Sequence, residues 1–281
     1  MTKVRIVTDS GADIPKDICE KMGVTVVPFK VVIGSKSYDD PHPDTLWKLI
    51  GTPPPYPKTS QPSPGDFQKV FKELTADGSA VICLTITSKH SGTFNSAWLA
   101  SQGFEKVFVV DSRSVSLGIG FQVLEAAKAA QKGATVEEIL ALVEEIRKRT
   151  YLEIMLETLS YLKEGGRVNG IISRLEKLRK FFKLKLIITI NKRGFLVPSL
   201  LGGARTTKRA LEKITNSIAK YSPLKYLGVV HTRRVKRAEL FAQLLAEKTR
   251  FSKKIWVGET RGALSSHAGP GVIGAIWVVS V

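Results

Sequence analysis

The sequence predicts an α/β protein with a parallel-sheet, three-layer N-terminal domain over residues 1–150 and a mixed α+β C-terminal domain over residues 151–281. Two observations predict it. In the first half, short apolar runs at Val4–Thr8, Ala80–Ile86 and Val107–Val110 are each followed by a polar turn and a helical pattern, the signature of parallel strands with both faces covered. After about residue 150 the order changes: Leu184–Ile190, Asn191 to Gly194 and Phe195–Leu201 read as an antiparallel hairpin with a four-residue loop.

The elements follow in order. Ile14–Met22 reads as a helix capped by Asp13, with Pro15 in its first turn. Val24–Ile33 reads as one β-branched strand, Asp44–Ile50 as a short helix, and Gly51 to Pro57, with four prolines, as an extended loop. Ser63-Pro64-Gly65-Asp66 is a helix start: Ser63 caps, Pro64 fits the first position and Asp66 complements the positive end. Ser116–Lys132 and Val136–Arg149 are long helical patterns. The second half adds helices at Thr206–Ala219 and Lys236–Thr249, and strands at Leu227–Val230, Lys254–Val257 and Ile273–Val279.

Composition narrows the function classes. With 43% hydrophobic residues, the 281-residue chain has enough apolar material for a core and for the lining of a cavity. No stretch of about 18 or more apolar residues marks a membrane span, and Thr8-Asp9-Ser10 interrupts the N-terminal apolar run before it reaches the about 7–15 residues of a signal peptide. Cys19 and Cys83 stand alone in apolar segments, as buried thiols of a reducing, cytoplasmic compartment do. Four histidines and two cysteines, all scattered, give no metal site. Gly118-Ile119-Gly120 starts a G-x-G, but Val123 stands where a dinucleotide fingerprint needs glycine.

The charge is strongly basic: 43 Lys+Arg against 25 Asp+Glu, a net +18. Basic residues gather at Arg147-Lys148-Arg149, Lys177 to Lys185, Arg233 to Arg237 and Lys253-Lys254. Such a surface suits nucleic acid, an anionic ligand, an acidic protein or an anionic membrane. No RNP, zinc-finger or helix-turn-helix signature accompanies it, so no specific nucleic acid is expected.

Polar turns carry the chemistry. Thr8-Asp9-Ser10, Thr59-Ser60-Gln61-Pro62-Ser63 and Ser91-Gly92-Thr93 supply hydroxyls and backbone N–H groups, a donor set suited to an anion. Beyond the carboxyl ends of parallel strands, such turns form the binding crevice of an open sheet. Lys163-Glu164-Gly165-Gly166-Arg167 ends a helical pattern, and His267 sits in the tight turn Ser266-His267-Ala268-Gly269-Pro270-Gly271, where it is placed to donate to an anion.

These blocks, with Val7 to Asp13, Val27-Pro28, Tyr38-Asp39-Asp40, Ser91 to Ala97, Asp111-Ser112, Ser116, Gly118, Gly120 and Tyr161-Leu162-Lys163, run in order over almost the whole chain. On them the chain resembles the DegV family of fatty-acid-binding proteins. The resemblance implies a fatty acid tunnel in which Thr59 and Ser91 hold the carboxylate and His267 lies at the mouth. It also implies a second-domain arginine, Arg205, as a phosphate contact. It implies a cytoplasmic carrier without a complete active site of its own and without a cofactor, presenting its lipid to a separate fatty acid kinase that makes an acyl phosphate. Transient contact with an anionic membrane surface is a further expectation from the charge. The chain departs from the family pattern at His90, in Leu184–Asn191, and at Gly202-Gly203 beside Arg205.

The chemistry fits this reading. Burial of about 14 methylenes at roughly 0.8 kcal/mol each offers about 11 kcal/mol before entropy costs, so the tail supplies affinity and the head needs placement. Hydroxyls pair a buried carboxylate without adding another charge. Two other readings compete: an acyl hydrolase using Ser91 and His267 as nucleophile and base, which lacks a G-x-S-x-G elbow, and a basic nucleic-acid-binding protein.

Overall fold

The structure is a computed structural model; it describes residues 3–50, 56–166 and 184–281. Residues 51–55 of the expected loop Gly51 to Pro57, Arg167, and all but the last two residues of the basic run Lys177 to Lys185 lie outside these residues. The chain groups into two compact units, one of residues up to Asp40 with Thr59–Lys148, the other of Pro41–Lys58 with Arg149–Val281. Each is described separately.

The first unit is built on four parallel strands in the order β2-β1-β6-β7: β2 is Val24–Val27, β1 Val4–Asp9, β6 Ala80–Thr85 and β7 Val107–Asp111. Every residue of β6 is buried, which is why it reads as a continuous apolar run rather than an alternating one. Helices α3 (Pro64–Thr75) and α4 (Thr93–Ser101) cover one face, where Val7, Val81 and Cys83 pack with Phe67, Phe71, Ala97 and Ala100. Helices α1 (Lys16–Met22) and α5 (Leu117–Gln131) belong to the other layer, and α6 (Val136–Arg149) follows α5. This is the expected three-layer arrangement. From β1 the chain crosses to β2 and from β6 to β7, on opposite sides, so the topological switch point lies between β1 and β6.

Two local readings change. Asp13 does not cap α1: it takes the left-handed conformation (φ 51°) after the 3-10 turn Ser10–Ala12, and Pro15 holds the cap position. The Asp13 carboxylate instead accepts from the Ser116 hydroxyl at 2.5 Å. The single strand expected at Val24–Ile33 is divided at Pro28. Its first half enters the parallel sheet as β2, and its second half, β3 (Lys30–Ile33), pairs antiparallel with β4 (Lys36–Asp39) across a turn in which Gly34 has φ 62°. With β5 (Lys58–Ser60) these strands make a separate small sheet ordered β4-β3-β5.

The start of α3 forms as read: Ser63 accepts from the Asp66 N–H, Asp66 accepts from the Ser63 N–H, and Pro64 occupies the first turn. Replacing Ser63 with alanine removes one side of this reciprocal cap. It will cost about 1 kcal/mol, read as a lower urea midpoint with an unchanged slope.

The second unit holds a six-stranded mixed sheet ordered β10-β9-β8-β13-β11-β12. Its strands are β8 (Thr150–Leu156), β9 (Lys185–Ile190), β10 (Leu196–Ala204), β11 (Leu224–His231), β12 (Trp256–Glu259) and β13 (Ile273–Val279). All pairings are antiparallel except β11 with β12. The hairpin of β9 and β10 is the expected one, with a register shift between Pro198 and Gly203. On one face α8 (Thr207–Ala219) and α9 (Val235–Thr249) bury Leu211, Ile214, Phe241 and Leu245 against Met155, Val229, Ala275 and Trp277. A smaller apolar cluster joins Leu156, Leu159, Leu162, Leu186 and Ile188. Helices α2 (Pro43–Ile50), α7 (Ser160–Glu164) and α10 (Gly262–Ala268) complete this unit.

Candidate functional site

Asp9 closes β1 at the switch point. Its side chain is fully buried; one oxygen accepts from the Gly11 N–H at 2.9 Å and the other from the Ile86 N–H at 2.7 Å. Ile86 follows β6, so this carboxylate staples the ends of the two strands where the crevice of an open sheet begins. Burial pushes the Asp9 carboxyl up from 3.8 to about 7; the two amide bonds oppose the rise, and Asp40 and Asp13 add to it. The neighbouring Ser10 hydroxyl accepts from the Phe29 N–H at 3.0 Å, just before β3. The sequence reading counted this turn among three anion-binding turns. In the structure its carboxylate takes the N–H groups of Gly11 and Ile86, and its Ser10 hydroxyl takes that of Phe29, so these two side chains act as a structural clamp.

The other two turns come together. Gln61 donates to the Ser96 hydroxyl at 3.1 Å, and a Cβ on Gly92 would overlap the Gln61 amide, so a side chain there would displace the amide from this position. The Thr59 turn is thereby seated against the Ser91 turn. Thr59 is carried by β5, an outer strand of the small sheet. Ser91 stands before α4: its Oγ accepts from the Thr93 N–H at 3.3 Å and lies 2.7 Å from Thr93 Oγ1. Both Thr59 and Ser91 are half-buried, and Thr93 is fully buried behind them. The Ser91 side thus offers a hydroxyl already polarised by a helix start, a fitting neighbour for an anionic oxygen.

In the second unit the structure gathers motifs that are distant in sequence. His267 lies in the last turn of α10, not in the tight turn expected from its glycine and proline neighbours. Ser265 Oγ donates to Thr260 O and Ser266 Oγ to Gly262 O, and Gly262 fits where a Cβ would strike Pro41 O at 2.6 Å. Gly269 ends it at φ 73°. The His267 ring is half-buried and fills the space where Gly165 lacks a Cβ. The ring of Tyr161 packs likewise on Gly269, and meets Tyr56 edge-on at 4.9 Å and Trp47 at 6.3 Å. Burial raises the Tyr161 hydroxyl above its ordinary 10.0. Sequence reading missed Trp47 and Tyr56 here; no spacing links them to Tyr161, only the fold does. Arg205 is exposed at the junction of β10 and α8, beside the Thr206 cap.

Among the described residues no group of three or more metal-ligating side chains occurs, and no helix is long and apolar enough to cross a membrane.

Comparison with known proteins agrees with this architecture. A family model described as an uncharacterised protein of the DegV family matches residues 3–280. A DegV domain-containing protein of Staphylococcus aureus is 31% identical over 285 residues, covering 98% of this chain and 99% of its own length. Among solved structures, a DegV family protein from Thermus thermophilus, described as fatty acid binding, superposes with a TM-score of 0.90 at 31% identity, over 99% of this chain and 100% of that one. DegV from Bacillus subtilis, described as a fatty acid binding protein, superposes at 0.87 with 26% identity and full coverage of both chains. With one family model spanning nearly every residue and a relative 31% identical over 98% of the chain, this chain belongs to the DegV family.

Proposed function

We propose that the protein binds one long-chain fatty acid, such as hexadecanoate, in an interior tunnel. Thr59 and Ser91 hold the carboxylate. The observation that carries this reading is the seating of the Thr59 turn on the Ser91 turn through Gln61 and Gly92, at the carboxyl end of a parallel sheet. The fatty acids bound by its structural relatives support it. Two hydroxyls suffice for the head because the acyl tail supplies most of the affinity, and each hydroxyl spares the carboxylate an unpaired oxygen.

The same reading assigns His267 and Arg205, from the second unit, to the polar end of the ligand, with Arg205 meeting a phosphate. The protein is then a carrier with no complete active site of its own. It works in the cytoplasm without a cofactor and presents the acid to a fatty acid kinase that returns an acyl phosphate. The +18 charge suits brief contact with an anionic membrane during loading.

Native mass spectrometry of the purified protein tests the core of this. One co-purified acid, or stoichiometric uptake of added palmitate or oleate, is expected. In the Thr59→Val/Ser91→Ala protein the affinity will fall by about a hundred- to ten-thousandfold, because hydrogen bonds to charged groups contribute roughly 1.5–3 kcal/mol each and two are removed. A protein that stays free of lipid after incubation with palmitate would end the proposal. Phosphate transfer from ATP to the bound acid, assayed with a fatty acid kinase and with Arg205→Ala, tests the second half.

A further inference from the structure

A groove of about 600 Å³ runs between α8 and α9 of the second unit. Its floor is Leu211 and Phe241, buried at 7% and 2% exposure. Its wall is Leu240, which leaves 64% of its surface open. On α9 the lining follows the spacing Arg237, Leu240, Phe241, Leu244, Lys248, one stripe of a helix with a cation at each end. Across the groove α8 contributes Lys208 and a single acid, Glu212. Arg237, Lys248 and Lys208 are all exposed, and none makes an ion pair among the described residues.

An exposed leucine over a buried phenylalanine is not needed for the fold. Leu240 points away from the sheet that α9 covers, while Ala238, Phe241 and Leu245 complete the core. From Arg237 to Lys248 is eleven residues, about 16 Å along the helix at 1.5 Å per residue, the length of roughly three turns of a second helix laid alongside.

We infer that this groove docks an amphipathic helix of an acidic protein partner. Apolar anchors at i, i+3/i+4 and i+7 enter between Leu240 and Leu211, and carboxylates at either end meet Arg237, Lys208 and Lys248. The charge decides the occupant: three of the four ionisable side chains lining the groove are cations on a chain already at +18, so a basic helix, or another copy of this chain, is repelled and a neutral one gains nothing from the charges, where an acidic one is drawn in.

The test uses a fluorescein-labelled synthetic helix with leucines at those spacings and glutamates on its other faces. Its partner probe has the same composition, with the leucines spread around the helix. Fluorescence anisotropy with the full chain is expected to show saturable binding of the first peptide only. Leu240→Glu and the pair Arg237→Glu/Lys248→Glu, all exposed positions, are expected to weaken it by about tenfold or more with unchanged thermal melts. Equal binding of both peptides would reduce the effect to bulk charge and overturn the inference, as would Leu240→Glu binding like the parent. Two further outcomes overturn it by naming another occupant: phosphatidylglycerol vesicles that bind the parent and lose hold of Leu240→Glu, or a parent dimer in sedimentation that Leu240→Glu dissolves.

Discussion

Replacing Asp9 with asparagine will flatten the dependence of folding stability on pH between about pH 4 and pH 7. The folded carboxyl sits near 7 while its ordinary value is 3.8, so across that window the folded state holds a proton that the unfolded state has lost. Stability of the parent therefore declines as pH rises. The full decline is on the order of 4 kcal/mol, three pKa units at ~1.36 kcal/mol each. Asparagine keeps one acceptor for the Gly11 or Ile86 N–H but does not ionise, so this contribution vanishes. The comparison must be made against the parent, because Glu153 in the second unit is also raised to about 7 by burial, against a bond from Ser199, and contributes the same sign of slope. Urea unfolding at several pH values measures it. Parallel curves for parent and variant would show that the two amide bonds hold Asp9 ionised throughout.

Trp277→Ala will cost about 3–5 kcal/mol, the largest loss expected from a single substitution in the second unit. Trp277 is 2% exposed on β13, inside the six-stranded sheet. Its ring stacks on Tyr151 at 5.7 Å and 18°, and lies 5.6 Å from Tyr221. Tyr151 in turn has the Lys192 ammonium 4.0 Å from its ring centre. Tyr151 and Tyr221 also touch, 4.9 Å apart, so removing the indole takes the largest ring out of a three-ring cluster and leaves a cavity in a close-packed core. The denaturant midpoint should fall steeply, while the peptide-binding groove of α8 and α9 should loosen with it. A small shift, under about 1 kcal/mol, would mean the two tyrosines close over the gap.

Most of the fold was legible because local rules and burial agree. The parallel sheet is visible in uninterrupted runs such as Ala80-Val81-Ile82-Cys83-Leu84, buried on both faces, and the start of α3 in a cap that needs only four consecutive residues. What escaped depends on partners far along the chain. Lys36-Ser37-Tyr38-Asp39 has no apolar run, and is a strand only because β3 lies beside it. Ser266 to Gly271 looked like a tight turn because glycine and proline stand beside His267, yet Ser266, His267 and Ala268 close a helix whose first residue, Gly262, fits on Pro41. Thr8-Asp9-Ser10 looked like a ligand turn because it is polar and lies beyond the carboxyl end of a parallel strand; the inward bond of Asp9 is made with Ile86, 77 residues away. Thr59 and Ser91 were found through resemblance. The residues that fix their turns, Gln61, Gly92 and Ser96, were inside the same motifs but only the structure shows that they touch.

The small sheet gives the two halves of the proposed head site unequal stiffness. Ser91 hangs from β6, a central strand buried on both sides, and from the first turn of α4. Thr59 hangs from β5, a three-residue strand in a sheet whose members are at most four residues long; strands so short are marginal on their own. A cargo protein must let go as well as hold. Loosening β5 would free one jaw while the other, and the core beneath it, stays in place, so unloading need not cost the protein its fold.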